Sequence, residues 1–132
     1  MANLTLTEAS RDQELAAQRI LRLDSDCGFS GIRSDALGEG ERCYVILHGE
    51  EVVGFYSFRW ANSQIFYFFI APTWRKKGIG TQALGQLIVE LREQGVDHVV
   101  VNMTPGSESF WHAAFRSLES KSEWSGRHRF YI

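Results

Sequence analysis

Arg75, Lys76 and Lys77 stand directly before Gly78-Ile79-Gly80-Thr81, just after an apolar run from Ile65 to Ile70 has stopped at Pro72. Three cations, two glycines and then apolar residues at helical spacing are the parts of an anion site. The first amides of a helix have no intrahelical acceptors, and the helix dipole adds partial positive charge there. Glycines let the backbone approach a bulky diphosphate and take φ > 0 at little cost. Successive backbone N–H groups at that helix start would meet the phosphates, with Arg75, Lys76 and Lys77 adding charge beside them. The plain alternative is an ordinary loop with a solvated basic tip.

The cations are a local feature. The net charge is −2, from 14 Lys and Arg against 16 Asp and Glu, whereas nucleic-acid binding needs a broad basic surface. At 132 residues, 44% apolar and 23% charged, the chain has the length and make-up of one soluble globular domain, residues 1–132. No apolar run approaches the roughly 20 residues of a membrane span. Cys27 and Cys43 are too few and wrongly spaced for a zinc site, and two cysteines make a poor disulfide framework, so no metal is expected. Met1 to Glu8 lack the basic and apolar regions of a signal peptide, and the expected location is the cytoplasm.

The elements that must position the glycine loop can be read on either side of it. Asn3 to Leu6 suggests a short strand. Ser10 with Gln13 fits a capping box, and Leu15, Ala16, Ile20 and Leu23 follow at helical spacing. Residues 24–41 are polar and glycine-rich. Cys43 to Leu47 and Val52 to Trp60 flank His48-Gly49-Glu50-Glu51, a β-hairpin pattern. Asn62-Ser63 turns into Gln64 to Ile70, apolar on both faces as a central strand should be. After the glycines, Leu84, Leu87, Ile88 and Leu91 form one stripe, and Gly95 can supply a left-handed stop. Val96 to Met103 reads as a buried strand, Ser107 to Leu118 as a helix, and Lys121 to Ile132 as one or two short strands around Ser125-Gly126. The strand–loop–helix–strand unit 64–103 implies a crossover and a parallel or locally splayed pair. The expected fold is α+β.

Arg75-Lys76-Lys77-Gly78-Ile79-Gly80 resembles the acyl-CoA loop of the Gcn5-related N-acetyltransferase (GNAT) superfamily, Arg/Gln-x-x-Gly-x-Gly/Ala between a central strand and a long helix. Ile70-Ala71-Pro72-Thr73-Trp74-Arg75 has the shape of that family's strand exit, and the order of elements agrees over residues 4–118. The resemblance implies a central mixed, mostly antiparallel sheet with a splayed parallel strand pair, flanked by about four helices. It implies acetyl-CoA as cosubstrate and an amine as acceptor: a small metabolite, a polyamine, a drug or a protein terminus. The amides of Lys77 through Thr81 would receive the pyrophosphate, with Arg75 helping. The pantetheine arm would pair like an extra strand along Phe68, Phe69 and Ile70, and the Phe68 N–H would face the thioester oxygen. Exposed strand edges would allow a homodimer.

The sequence departs from the family where protons must move. Gln64 stands where a catalytic glutamate is usual, and Trp111 or Phe115 where a tyrosine acid is usual. The family's asparagine corresponds to Thr104 or Glu108. Glu108 and His112, at i, i+4 on one helix face, are the substitutes for proton handling, with a plain surface pair as the alternative. Asn102 could position a water, and His98 at the start of its strand reads as solvated. His48 and Glu51 are expected away from the thioester. Tyr56 and Ser57 could point into the acceptor pocket, although Tyr56 is equally a core residue; Trp60 and Trp74 read as packing residues. Asp24, Asp26, Asp35, Glu39 and Glu41 would favour a cationic acceptor if they cover it. Two other readings compete. Gly78-x-Gly80-x-x-Ala83 also satisfies a dinucleotide-binding fingerprint, and a module that binds acyl-CoA without transferring it would lack the same glutamate and tyrosine.

Overall fold

The computed structural model describes residues 4–23, 41–103, 107–124 and 127–132. In chain order they form β1 (Leu4–Glu8), α1 (Arg11–Leu21), β2 (Glu41–His48), β3 (Glu51–Arg59), β4 (Gln64–Ile70), a 3-10 turn (Pro72–Trp74), α2 (Ile79–Glu93), β5 (His98–Asn102), α3 (Glu108–Ala114), β6 (Glu119–Trp124) and β7 (Arg127–Tyr131). The described strands make one seven-stranded sheet in the order β1-β2-β3-β4-β5-β7-β6. Every pairing is antiparallel except β4 with β5. The α+β architecture is therefore as expected. Three α-helices lie among the described residues, and residues 24–40 of the polar, glycine-rich stretch fall outside them.

Local signals explain most of these elements. Ser10 and Gln13 form a reciprocal capping box, with Gln13 Oε1 accepting from the Ser10 N–H at 2.9 Å and Ser10 Oγ from the Gln13 N–H at 3.3 Å. Leu84, Leu87, Ile88 and Leu91 all turn inward from α2. There they pack with Leu4, Ile46, Val53, Phe58, Ile65, Val99 and Val101 on one face of the sheet. On the other face Ala17 and Leu21 of α1 meet Cys43, Val45, Val52, Phe55 and Phe69. Gly95 has φ 85° and ends the α2 segment as predicted.

Several boundaries differ from the sequence reading: β1 runs on to Glu8, α1 stops at Leu21 and leaves Leu23 outside it, and β2 extends from Glu41 to His48. Trp60 belongs to the β3–β4 turn, β5 is shorter than 96–103, and α3 is seven residues long and stops at Ala114. The tail forms two strands, and β7 inserts between β5 and β6, pairing with β5 from His98↔Tyr131 to Asn102↔Arg127.

The splay is built into β4. Opposite β3, its register runs Tyr56↔Phe68 but Phe58↔Ile65, so β4 carries one extra residue between Ile65 and Phe68. Such a bulge bends a strand and increases its twist. Opposite β5, only Gln64↔Val100 and Ile65↔Val101 pair. Beyond the bulge β4 leaves β5.

Candidate active site

Strand alternation says which backbone groups face the opening. The Ala71 N–H donates to the Val53 oxygen of β3 at 2.8 Å. Peptide groups alternate along a strand, so the amides and carbonyls of Phe68 and Ile70 point to the opposite edge, into the splay. Those of Phe69 point toward β3. Arg75 Nε donates to the Ile70 oxygen at 2.9 Å, from the splay side, and its guanidinium lies 5.1 Å from the Phe69 ring centroid.

The loop then delivers α2. After the 3-10 turn, Lys76 takes φ 62° and Gly78 φ 78°, both left-handed. Gly78 is the N-cap and supplies no side-chain acceptor to the first turn. Its carbonyl accepts from the Gln82 N–H at 2.9 Å, which leaves the amides of Ile79, Gly80 and Thr81 without an intrahelical acceptor. The two glycines serve different ends. A Cβ on Gly78 would meet nothing within 4 Å, so the positive φ is what selects glycine there. A Cβ on Gly80 would lie 3.0 and 3.1 Å from ring carbons of Phe110, so close packing of α2 on α3 selects it.

Loop, helix start and open strand edge border one cavity of about 440 Å³. Phe68, Phe69 and Ile70 line it from β4, and Arg75, Lys76, Gly78, Ile79, Gly80 and Thr81 from the loop and α2. Trp74 and Phe110 complete the lining; neither was assigned to the site from sequence. The apolar side chain of Phe110 within the 107–118 helix reading was the available signal, but its partner Gly80 is 30 positions away in the chain. Of the predicted loop residues only Lys77 is outside this lining, with its Nζ 5.2 Å from the Trp74 ring centroid. Trp74 itself donates from Nε1 to Glu51 Oε2 at 3.1 Å and lies 4.7 Å from the His48 ring. His48 and Glu51 thus meet the loop end of the cavity.

The residues expected to handle protons are placed elsewhere. Glu108 and His112 are exposed on α3 and do not line the cavity. The His112 ring stands edge-on to His128 at 5.3 Å. Gln64 is 2% exposed, and its Oε1 accepts from Asn62 Nδ2 at 2.9 Å. Trp111 packs edge-on to Phe68 at 5.7 Å, and Phe115 packs on Phe130 at 4.8 Å. Asn102 is exposed at the end of β5. His98 Nδ1 lies 2.7 Å from Asp97 Oδ1, and that hydrogen bond holds the Asp97 carboxyl below its usual range. Tyr56 and Ser57 are buried in β3. Thr104 and the carboxylates Asp24, Asp26, Asp35 and Glu39 lie outside the described residues, and Glu41 is described only as backbone. No group of three or more His, Cys, Asp or Glu that could hold a metal occurs among the described residues.

A central strand that leaves its parallel neighbour and exits through a glycine loop into a helix start is the arrangement the sequence resemblance implied; the bulge that produces the splay is a finding of the structure. The profile of the Acetyltransferase (GNAT) family matches residues 5–115. The chain belongs to the GNAT acetyltransferase family. The dinucleotide-binding alternative is thereby set aside. No curated protein matches the sequence. Among solved structures, an acetyltransferase from Thermus thermophilus is similar over 100% of this chain and 99% of its own, with TM-score 0.72 and 16% identity. The ribosomal-protein-S18-alanine N-acetyltransferase from Escherichia coli is similar over 98% and 91%, with TM-score 0.69 and 13% identity. The Escherichia coli protein YhhK bound to coenzyme A is similar over 98% of both chains, with TM-score 0.63 and 14% identity. No described helix of this GNAT protein is long and apolar enough to cross a membrane.

Proposed function

We propose that the protein transfers an acetyl group from acetyl-CoA to a primary amine by direct attack of the amine on the thioester. One observation carries this reading: the α2 amides and the open edge of β4 border the same 440 Å³ cavity. A diphosphate suits the first, and a pseudo-peptide arm suits the second. Acetyl-CoA would supply the activated acyl group. Lys77 through Thr81 would hold its pyrophosphate through backbone N–H groups, with Arg75 and Lys76 adding charge. Phe68, Phe69 and Ile70 would line the pantetheine arm, and the Ile70 carbonyl is already engaged by Arg75, which narrows that role to the Phe68 groups and the Ile70 amide. The Phe68 N–H would donate to the thioester oxygen as negative charge develops on it. Phe68, Phe110 and Trp111 would shield that point from water.

Proton transfer is the demanding part for these residues. An alkylamine of pKa near 10.4 is neutral in about one molecule in 2,500 at pH 7, a cost of roughly 4.6 kcal/mol. No carboxylate or imidazole is among the described lining residues. Deprotonation would therefore run through water, with Glu108 and His112 at the exterior end of the chain. The departing thiolate, of ordinary pKa near 8.5, needs little help from an acid. Gln64 and Trp111 also suit a second reading, a module that binds acyl-CoA without turnover. Mixing the protein with acetyl-CoA and a panel of amines and protein N-termini, while following thiol release, decides between them. Amine-dependent thiol release is expected; saturable coenzyme binding with no release on any amine would support the module instead.

A further inference from the structure

A second hollow, of about 220 Å³, lies against the other end of α2, between Leu87, Glu90, Leu91 and Gln94 and the strands β2 and β3. Its floor is apolar and closed, with Tyr56, Phe58 and Leu91 each at most 2% exposed. Its walls are aromatic and mutually fixed. Tyr44 stacks on Tyr56 at 5.1 Å with 12° between the planes, and Trp60 stands edge-on to Phe58 at 4.9 Å. Trp60 Nε1 donates to the Tyr44 hydroxyl at 3.1 Å, which locks the outermost ring in place while 42% of the residue remains exposed. Glu90 is the one carboxylate among the described lining residues, and no cationic side chain is among them.

These features select the sign and the kind of ligand. Aromatic faces carry negative potential, and they attract a weakly hydrated cation best when several surround it. Glu90 adds a full negative charge at the rim. Partial burial, then Glu93, push its carboxyl above the usual range, and Glu90 is the second cause, after burial, of the raised Tyr56 phenol. The carboxylate is thus partly desolvated beside the rings, and an organic cation would relieve that cost. A metal ion would find too few ligands here, and an anion would meet Glu90.

We propose that this hollow is a second binding site, which takes the alkylated or quaternary ammonium head of an organic cation. It is separate from the acyl-CoA cleft, though close to it, because the Tyr56 ring is stacked 6.1 Å from Phe68, a residue of the cleft lining. The proposal rests on none of the roles given to the cleft.

Choline is a suitable probe, with its uncharged all-carbon analogue as the control. Two-dimensional NMR of the full chain follows the Trp60 indole N–H, assigned by its loss in Trp60→Phe. A saturable shift with choline is expected, with affinity at least about tenfold tighter than for the analogue. Glu90→Gln, an exposed helix substitution, should fold normally and weaken choline about tenfold. Saturating CoA should leave choline bound. Equal affinity for choline and the analogue, unchanged affinity in Glu90→Gln, or displacement by CoA would each overturn the site. CoA binding read at the Gly78–Thr81 amides of the same sample reports on the cleft by itself.

Discussion

At φ 78°, with open space where a Cβ would be, Gly78 is held by conformation alone. Gly78→Ala should therefore cost about 1 kcal/mol of stability in urea unfolding and weaken CoA several-fold in calorimetry, because the first-turn amides turn with it. Unchanged affinity would show that the loop's left-handed turn does not aim those amides. Tyr56 gives a second test at this scale. Burial, then Glu90 and Tyr44, raise its phenol far above the ordinary value of 10.0. The folded chain keeps that proton where the unfolded chain loses it. Its stability contribution is thus intact below pH 10 and declines as pH rises beyond. The urea midpoint should drop above about pH 10, and Tyr56→Phe should flatten that drop. A parallel drop in the variant would assign alkaline unfolding to other groups. The glycine turn into α2 was legible because its backbone chemistry is local, whereas the packing of Gly80 on Phe110 was not. Lys76 at φ 62° and the engagement of Arg75 by the Ile70 carbonyl were not legible either, since both depend on the path the backbone takes between strand and helix.

The elements were legible where periodicity is strong. The α2 stripe and the Ser10 cap needed only spacing and side-chain chemistry. The bulge in β4 was not legible, because an extra residue shows only against a partner's register. Insertion of β7 beside β5 was also hidden, since the tail is short and mostly polar while its pairing is decided by the free edge it meets. Gly54 is the clearest case of a residue explained only by its neighbouring element. A Cβ there would lie 2.4 Å from the Phe69 backbone oxygen, which cannot move without opening the β3–β4 pairing. Gly54→Ala should destabilise the protein by about 3 kcal/mol, the upper end of overpacking costs. A change below about 0.5 kcal/mol in urea unfolding would mean that β3 and β4 are not so closely apposed.

In the whole molecule, one face of the sheet carries two hollows along α2: one at its start with backbone donors and cations, the other near its end with rings and a carboxylate. The placement of chemistry also sets the pH behaviour. With no carboxylate or imidazole among the described residues lining the cleft, the fraction of neutral amine should control the rate. For an alkylamine acceptor, kcat/KM should then rise about tenfold per pH unit from about 6 to 9. A plateau beginning near pH 6.5 would instead reveal a histidine or carboxylate acting as the base. The most direct test of the central claim follows backbone amide signals while CoA is added. Ile79, Gly80 and Thr81 at the helix start, and Phe68 and Ile70 on the open edge of β4, should shift together and saturate together. Saturable binding that leaves those five amides unmoved would contradict the account.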